Sequence, residues 1–274
     1  MNSFFQSAGG PGAWRRILAC ILLLASVTGA LPAADRPLRV LIFSGQNNHD
    51  WRTTTPELEK ILSAAGRFSV EITGHPEACD AATFARFDLI LSNWNTFGSR
   101  ADVKEWPQPM REALLNFVRA GGGVVVVHAG GASFPDWADY QKLIGCTWGK
   151  PTGHGPTHLF EVKFADPDHP VTRGLGPFQT TDELWHRMDL QPDMKVLATA
   201  YSAPDRKGTG KDEPVAMVTQ FGKGRCFNLV LGHDVRAMQS PGFQALLRRG
   251  AEWAATGTVL EGKKPTDQQP PFIP

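Results

Sequence analysis

The chain reads as an α/β protein: a mostly parallel sheet with helices on both faces, followed by an antiparallel extension. Two patterns predict this. In the first half, short continuous apolar runs alternate with stretches of helical periodicity, and a strand that is apolar on both faces belongs in a parallel sheet covered on both sides. In the second half, strand-like runs follow one another with little room for helices between them, which favours antiparallel pairing.

Each element has its own local signal. LRVLIFS at 38–44 is a strand that ends in polar and glycine residues. PELEKILSAAG at 56–66 is a helix with proline at its start and glycine at its end. FSVEIT at 68–73 alternates as a strand does, and DLILSNW at 88–94 is the next one. PMREALLNFVRAGGG at 109–123 sets Leu114, Leu115 and Val118 on one helical face and stops at glycine. VVVVHA at 124–129 is a fourth strand, apolar on both faces. Beyond it HLFEVKFA (158–165), MKVLATAY (194–201), PVAMVTQF (214–221) and RCFNLVLGH (225–233) are strands. GKG at 222–224 makes a tight turn between the last two, and FQALLRRGAEWAA at 243–255 is a closing amphipathic helix. No repeat or linker interrupts 35–260, so one domain is expected there.

The two ends read differently. Arg15 and Arg16 precede an apolar run, 17–31, that closes near the small residues of TGALPAAD. Charge, apolar core and small residues in that order form a secretory signal. Residues 1–34 are therefore expected to be a signal peptide, and the mature protein to be exported to the periplasm or the outside. The run is short for a membrane span, and no later segment is long and apolar enough to be one. At the other end, 261–274 is a proline-rich tail expected to be disordered.

Charge and cysteine usage exclude several classes. Without Arg15 and Arg16, 26 basic residues of the 28 face 27 acidic ones, a formal balance of −1. Such a surface has no electrostatic reason to hold nucleic acid or an anionic membrane. Cys20 lies in the leader, and Cys79, Cys146 and Cys226 form no CxxC pair, so neither a disulfide framework nor a zinc finger is expected. Each of the three reads as a small buried hydrophobe. GGG at 121–123 precedes its strand rather than following it, and GKGR lacks the P-loop pattern, so no nucleotide cofactor is expected.

Open parallel sheets bind ligands beyond the carboxyl ends of their strands. Histidines recur at those places: His49 in SGQNNHDW, His128 at the tip of the fourth strand, His154 and His158 in GKPTGHGPTH, and His233 in LGHD. Imidazole titrates near neutral pH, and its neutral form binds zinc-like metals. Asp50, Asp182, Glu183 and Asp234 are the acidic partners. Glu183, in TTDELWH beside Trp185, reads equally as a carboxyl whose pKa is raised, as suits a general acid or base, and as part of an exposed acidic loop. His128, Glu183 and His233 are the catalytic candidates, and His128, His154 and His233 are candidate ligands for a divalent metal such as zinc. The step from His154 to His158 is not itself metal evidence, because Gly155 and Pro156 forbid a helix there. Flat aromatic faces beside polar groups suit sugar rings, so His49, Trp51, Trp94, His154 and Trp185 are the substrate-binding candidates. His75 and His169 precede prolines in turns, and His169 is a further candidate for the rim. GASF lacks the G-x-S-x-G pattern of a serine nucleophile.

Several stretches in order then carry a resemblance: SGQNNHDWRTT, GGGVVVVHAGGASF, DWADYQKLIG, the segment from HGPTH to DHPVTRGL, TTDELWH, PVAMVTQFGKGRCFNLVLGHD and GFQALLRRGAEWA. From about Leu38 to Thr256 the chain resembles the ThuA-like, trehalose-utilisation family. The resemblance implies a flavodoxin-like fold akin to the class I glutamine amidotransferases, which keep a cysteine in the sharp turn after a central strand. Here His128 stands at that turn. It also implies work on disaccharides such as trehalose, after oxidation to keto-sugars by a partner sugar dehydrogenase. A ketone acidifies the neighbouring C–H, and isomerisation or elimination can follow its removal. Two rival readings remain at this stage: a non-catalytic carbohydrate-binding or scaffold domain, and an amidotransferase or peptidase relative using Cys146 or Ser133.

Overall fold

The first strand, β1 (Leu38–Phe43), is buried at every position but Arg39, as a strand covered on both faces should be. It pairs in parallel with β2 (Phe68–Thr73) and β3 (Leu89–Ser92). Next to β3 lies β4 (Gly123–Val127), also parallel and wholly buried. The computed structural model describes residues 36–64, 66–97 and 103–260; the proposed signal 1–34 and tail 261–274 lie outside the described residues. The described residues from Pro37 to Leu260 cluster as one compact unit.

Five further strands complete the sheet: β5 (His158–Phe164), β6 (Phe178–Asp182), β7 (Lys195–Ser202), β8 (Lys211–Phe221) and β9 (Gly224–Leu229). The order is β2-β1-β3-β4-β9-β8-β7-β5-β6. β9 lies parallel to β4, and every pairing beyond it, out to β6, is antiparallel. This is the mostly parallel α/β sheet with an antiparallel extension that the sequence predicts.

Side-chain alternation sorts the core into two layers. Val125 and Val127 face one cluster with Leu58, Ile61 and Leu62 of α1 (Trp51–Ser63) and Leu246, Leu247 and Ala251 from the closing helix. Val124 and Val126 face the other, with Phe84 of α2 (Ala81–Phe84), Leu114 and Leu115 of α3 (Gln108–Arg119), and Tyr140 and Leu143 of α4 (Ala138–Ile144). After β9 come the short α5 (Val235–Met238) and the closing α6 (Pro241–Thr256). The period of two along β4 thus requires helices on both sides.

Three local differences from the sequence reading have physical causes. α1 begins at Trp51 rather than at Pro56, because proline on its exposed side costs one ladder hydrogen bond without a core clash. β4 stops at Val127 and β9 at Leu229, so His128 and His233 lie past the strand ends. FQTTD at 178–182 forms β6, in a stretch to which the sequence reading assigned no element; its polar composition is that of an edge strand, which pairs on one side only. The turn from β8 to β9 is tight as expected, with Gly222 at φ +63° and its missing Cβ 2.8 Å from the Arg119 backbone.

Candidate functional site

Four chain segments deliver the site to one edge of the sheet. The loop after β1 carries His49. β4 turns sharply into a single 3-10 turn, His128–Ala132, and His128 adopts φ +40°, a conformation that non-glycine residues rarely hold. Such strain persists where surrounding structure over-determines it, and it clusters at functional sites. The segment after β9 brings His233, and the end of β6 brings Asp182 and Glu183.

Asp182 fastens two of these segments together. It is fully buried, and its carboxylate accepts hydrogen bonds from the backbone N–H of Glu183 (2.8 Å), Gly232 (2.7 Å) and His233 (3.1 Å). Burial pushes its pKa up, against the attraction of His128 and these N–H donors. Its role is to hold the turns that carry Glu183 and His233.

Above it, one donor atom each from His49, His128, Glu183 and His233 lies within 4.8 Å of the others. The three imidazole rings stand nearly perpendicular to one another, with centroids 4.7 to 5.3 Å apart. Glu183 Oε2 is 3.5 Å from His128 Nε2 and 3.4 Å from His233 Nδ1. Those two nitrogens are buried, and neither makes a well-directed hydrogen bond. A cluster of buried nitrogen lone pairs around a carboxylate can hold a metal ion.

The tautomers support that reading. His128 Nδ1 donates to the Val230 carbonyl at 2.6 Å, so in the neutral ring Nε2 carries the lone pair that faces the cluster. His49 Nδ1 lies 3.2 Å from the side-chain carbonyls of Asn47 and Asn48, so its Nε2 is likewise left free. Metal-binding histidines characteristically anchor their second nitrogen in this way. An amide chain lies behind His49: Asn47 Nδ2 donates to the backbone and side-chain oxygens of Asn93, and Asn93 Nδ2 donates to Thr54 and Thr55.

The electrostatics favour a neutral His49 and an ionised Glu183. Burial, then the charges of His128 and His233, pull His49 down to about 3. The close approach of the Glu183 carboxylate raises His233. For Glu183 a raised pKa was one of the two sequence readings. Burial does push that way, but contacts with His128 and His233 outweigh it and hold the carboxyl far below its usual range. Trp185 adds a donor rather than apolar pressure, with its Nε1 3.4 Å from Glu183 Oε2.

His154 stands outside the group of four donors, although the sequence reading counted it as a metal ligand. Its Nδ1 contacts the other oxygen, Glu183 Oε1, at 3.0 Å and the Gly155 carbonyl at 2.8 Å. Two acceptors on Nδ1 place the proton there, so Nε2 is the basic nitrogen. His154, Glu183, Trp185 and His49 line a cleft of about 120 Å³ with Trp148 and Phe97. Trp51 lies at the rim of the neighbouring groove. Trp94, expected to bind substrate, is 1% exposed and packs between Trp106 and Phe134 in the core, so it offers no face to a ligand. His169 packs against Trp253, and the exposed His75 contacts half-buried Glu77. Cys79, Cys146 and Cys226 are buried free thiols, and burial pushes Cys146 up to about 12. Ser133 is buried and donates to the Trp94 carbonyl. Neither Cys146 nor Ser133 is among the residues lining the cleft. Sequence reasoning did not single out Phe97, Asn47, Asn93 or Asn95; the asparagines in NWN directly after β3 were the available signal.

The sequence profile of the ThuA family, described as trehalose utilisation, matches residues 39–254. The chain belongs to the ThuA family. This places it in carbohydrate metabolism. Among solved structures, a ThuA-like protein from Parabacteroides merdae is 31% identical, with TM-score 0.73 over 82% of this chain and 92% of that one. A ThuA-like protein from Bacteroides uniformis is 20% identical, with TM-score 0.61 over 84% and 96%. A cytoplasmic protein from Salmonella typhimurium, 12% identical with TM-score 0.56 over 79% and 98%, shares the fold. No curated protein matches the chain as a relative. Among the described residues of this ThuA chain, no helix is long and apolar enough to cross a membrane.

Proposed function

We propose that the chain is an exported enzyme that processes a disaccharide, a glycoside or its keto-sugar derivative by acid/base chemistry assisted by a divalent metal such as zinc. The observation that carries this reading is the convergence of His49, His128 and His233 on Glu183, with two of the three rings anchored through Nδ1. These four residues would hold the ion. When bound, it would supply positive charge to stabilise an oxyanion formed from a sugar ketone.

The residues of the chain supply the proton transfer. His154 Nε2 is the base that takes a proton from the carbon next to the ketone. Glu183, on the Nδ1 side of the same ring, offsets the imidazolium charge that results. Return of the proton from the imidazolium to the former carbonyl carbon, while the neighbouring hydroxyl proton passes to the enolate oxygen, gives isomerisation; departure of the glycosidic oxygen with the imidazolium proton gives elimination. Trp148, Trp185 and Phe97 wall the cleft, as sugar faces require. A ketone substrate implies a sugar dehydrogenase that acts beforehand. Export is supported by the signal pattern at 1–34.

Metal analysis of the protein purified without chelator tests the reading, alongside His128→Ala and His233→Ala. Stoichiometric zinc or a similar ion in the wild type, lost in both folded variants, is the expected result. A wild type that takes up no divalent ion on titration would overturn the metal-assisted mechanism.

A further inference from the structure

The cleft over the histidines encloses about 120 Å³. Ordinary small-molecule sites hold about 300–1,000 Å³, so the cleft admits one part of a substrate and the remainder must lie outside it. A groove of about 350 Å³ adjoins it, lined by Gln46, Asn48, Trp51, Arg52, Phe97 and Lys104 among others. Asn48 and Phe97 belong to both walls.

The groove has the chemistry of a sugar subsite. Phe97 is 42% exposed and meets Trp148 edge-on at 5.6 Å, so it stands as an aromatic partition between the two spaces. In the lining of the groove, the Arg52 guanidinium lies 4.3 Å from the centre of the Trp51 ring. The Gln46 amide is engaged within the wall, donating to the Asn95 and Lys104 carbonyls and accepting from the Lys104 N–H, whereas the lining residues Asn48 and Arg52 are exposed. An apolar ligand would cover the Asn48 amide and the Arg52 guanidinium without satisfying them, which is costly. Lys104 offers little to an anionic ligand, because it is already paired with Glu77 at 3.0 Å. A hydroxylated ring, apolar on its faces and polar at its rim, fits both features.

We propose that this groove is a second subsite, which holds the non-reacting ring of a disaccharide or glycoside while the reacting ring occupies the cleft beside Glu183 and His154. The inference rests on the carbohydrate-processing reading above. It makes Trp51 and Arg52 determinants of substrate length.

Calorimetric titration of the full chain with glucose and with trehalose as probes tests it. Trehalose should bind more tightly than glucose. Trp51→Ala and, independently, the exposed Arg52→Ala should weaken trehalose roughly three- to tenfold and leave glucose unchanged. Zinc uptake by both variants should match the wild type, which verifies that the cluster is intact. Equal affinity for the two sugars, or wild-type trehalose affinity in both variants, would overturn the second subsite and leave the carbohydrate reading standing. Failure of both sugars to bind the wild type would overturn the two together.

Discussion

The two halves of the sheet contribute unlike chemistry to one site. The parallel half, β2-β1-β3-β4-β9, supplies the three imidazoles of the cluster from the segments after β1, β4 and β9. The antiparallel half supplies the carboxylate of Glu183 after β6, and the segment just before β5 supplies His154. The first half resembles a general ligand-binding edge of open α/β sheets. The extension turns that edge into a specific site, because without Glu183 the buried nitrogens of His128 and His233 would lose their acidic neighbour. Asp182 is the joint between the halves, since one carboxylate holds the backbone of both Glu183 and His233.

Removing the extension's contribution gives the largest expected effect. Glu183→Gln keeps the shape and deletes the charge, so zinc affinity should fall by at least about a hundredfold in competition with a chelator. The same variant frees His49, His128 and His233 from their anion, so turnover should fall with it. Unchanged zinc affinity would show that the parallel half builds the metal site alone.

Breaking the joint should cost folding stability as well. In Asp182→Asn one side-chain oxygen becomes an NH2 that faces a backbone N–H, and an unmet buried donor costs about 1–3 kcal/mol. Denaturant unfolding of the metal-free protein measures this directly. A variant as stable as the wild type would mean that the two turns hold their shape without the carboxylate.

The halves also differ in how far the sequence reveals them. Apolar runs such as VVVVH at 124–128 announce buried parallel strands, and histidines at their ends are visible as a set. FQTTD does not announce a strand, because an edge strand with little apolar content lacks the period-two contrast on which the reading depends. The direction of the Glu183 pKa shift was hidden for a related reason: it depends on which rings meet the carboxylate, and those come from segments far away in sequence. Trp94 misled in the opposite sense. A tryptophan just past a strand end is as suited to the core as to a ligand, and only packing against Trp106 and Phe134 decides between them.

A smaller effect is expected on the parallel side, where the cluster depends on an amide rather than on charge. Asn47→Ala removes the acceptor for the backbone N–H of His49 and one of the two near its ring Nδ1. Zinc affinity should fall about tenfold, in the range found for residues that orient metal ligands. Thermal stability should change less than in Asp182→Asn, because His49 and Asn47 are only half-buried. A loss as large as that of Glu183→Gln would erase the contrast between the halves.

The smallest effect is one of pH, and it differs in sign between the metal-free and metal-loaded forms. In the metal-free protein the pKa of His233 is raised by Glu183, so this contact stabilises the fold fully below the unfolded histidine value of about 6.5. That stabilisation is lost as pH rises through the higher folded value. The metal-free protein should therefore lose stability across this window. Metal binding needs the neutral imidazole, so protons displace the ion from His233 below the same window, and the ion binds more tightly above it. His49, held down to about 3, is already neutral throughout and takes no part in this competition. Thermal unfolding across the window, with and without excess zinc, should give a falling trend for the first form and a widening gap between the two. Parallel trends would mean that His233 is not a ligand, and that the parallel half contributes His49 and His128 alone.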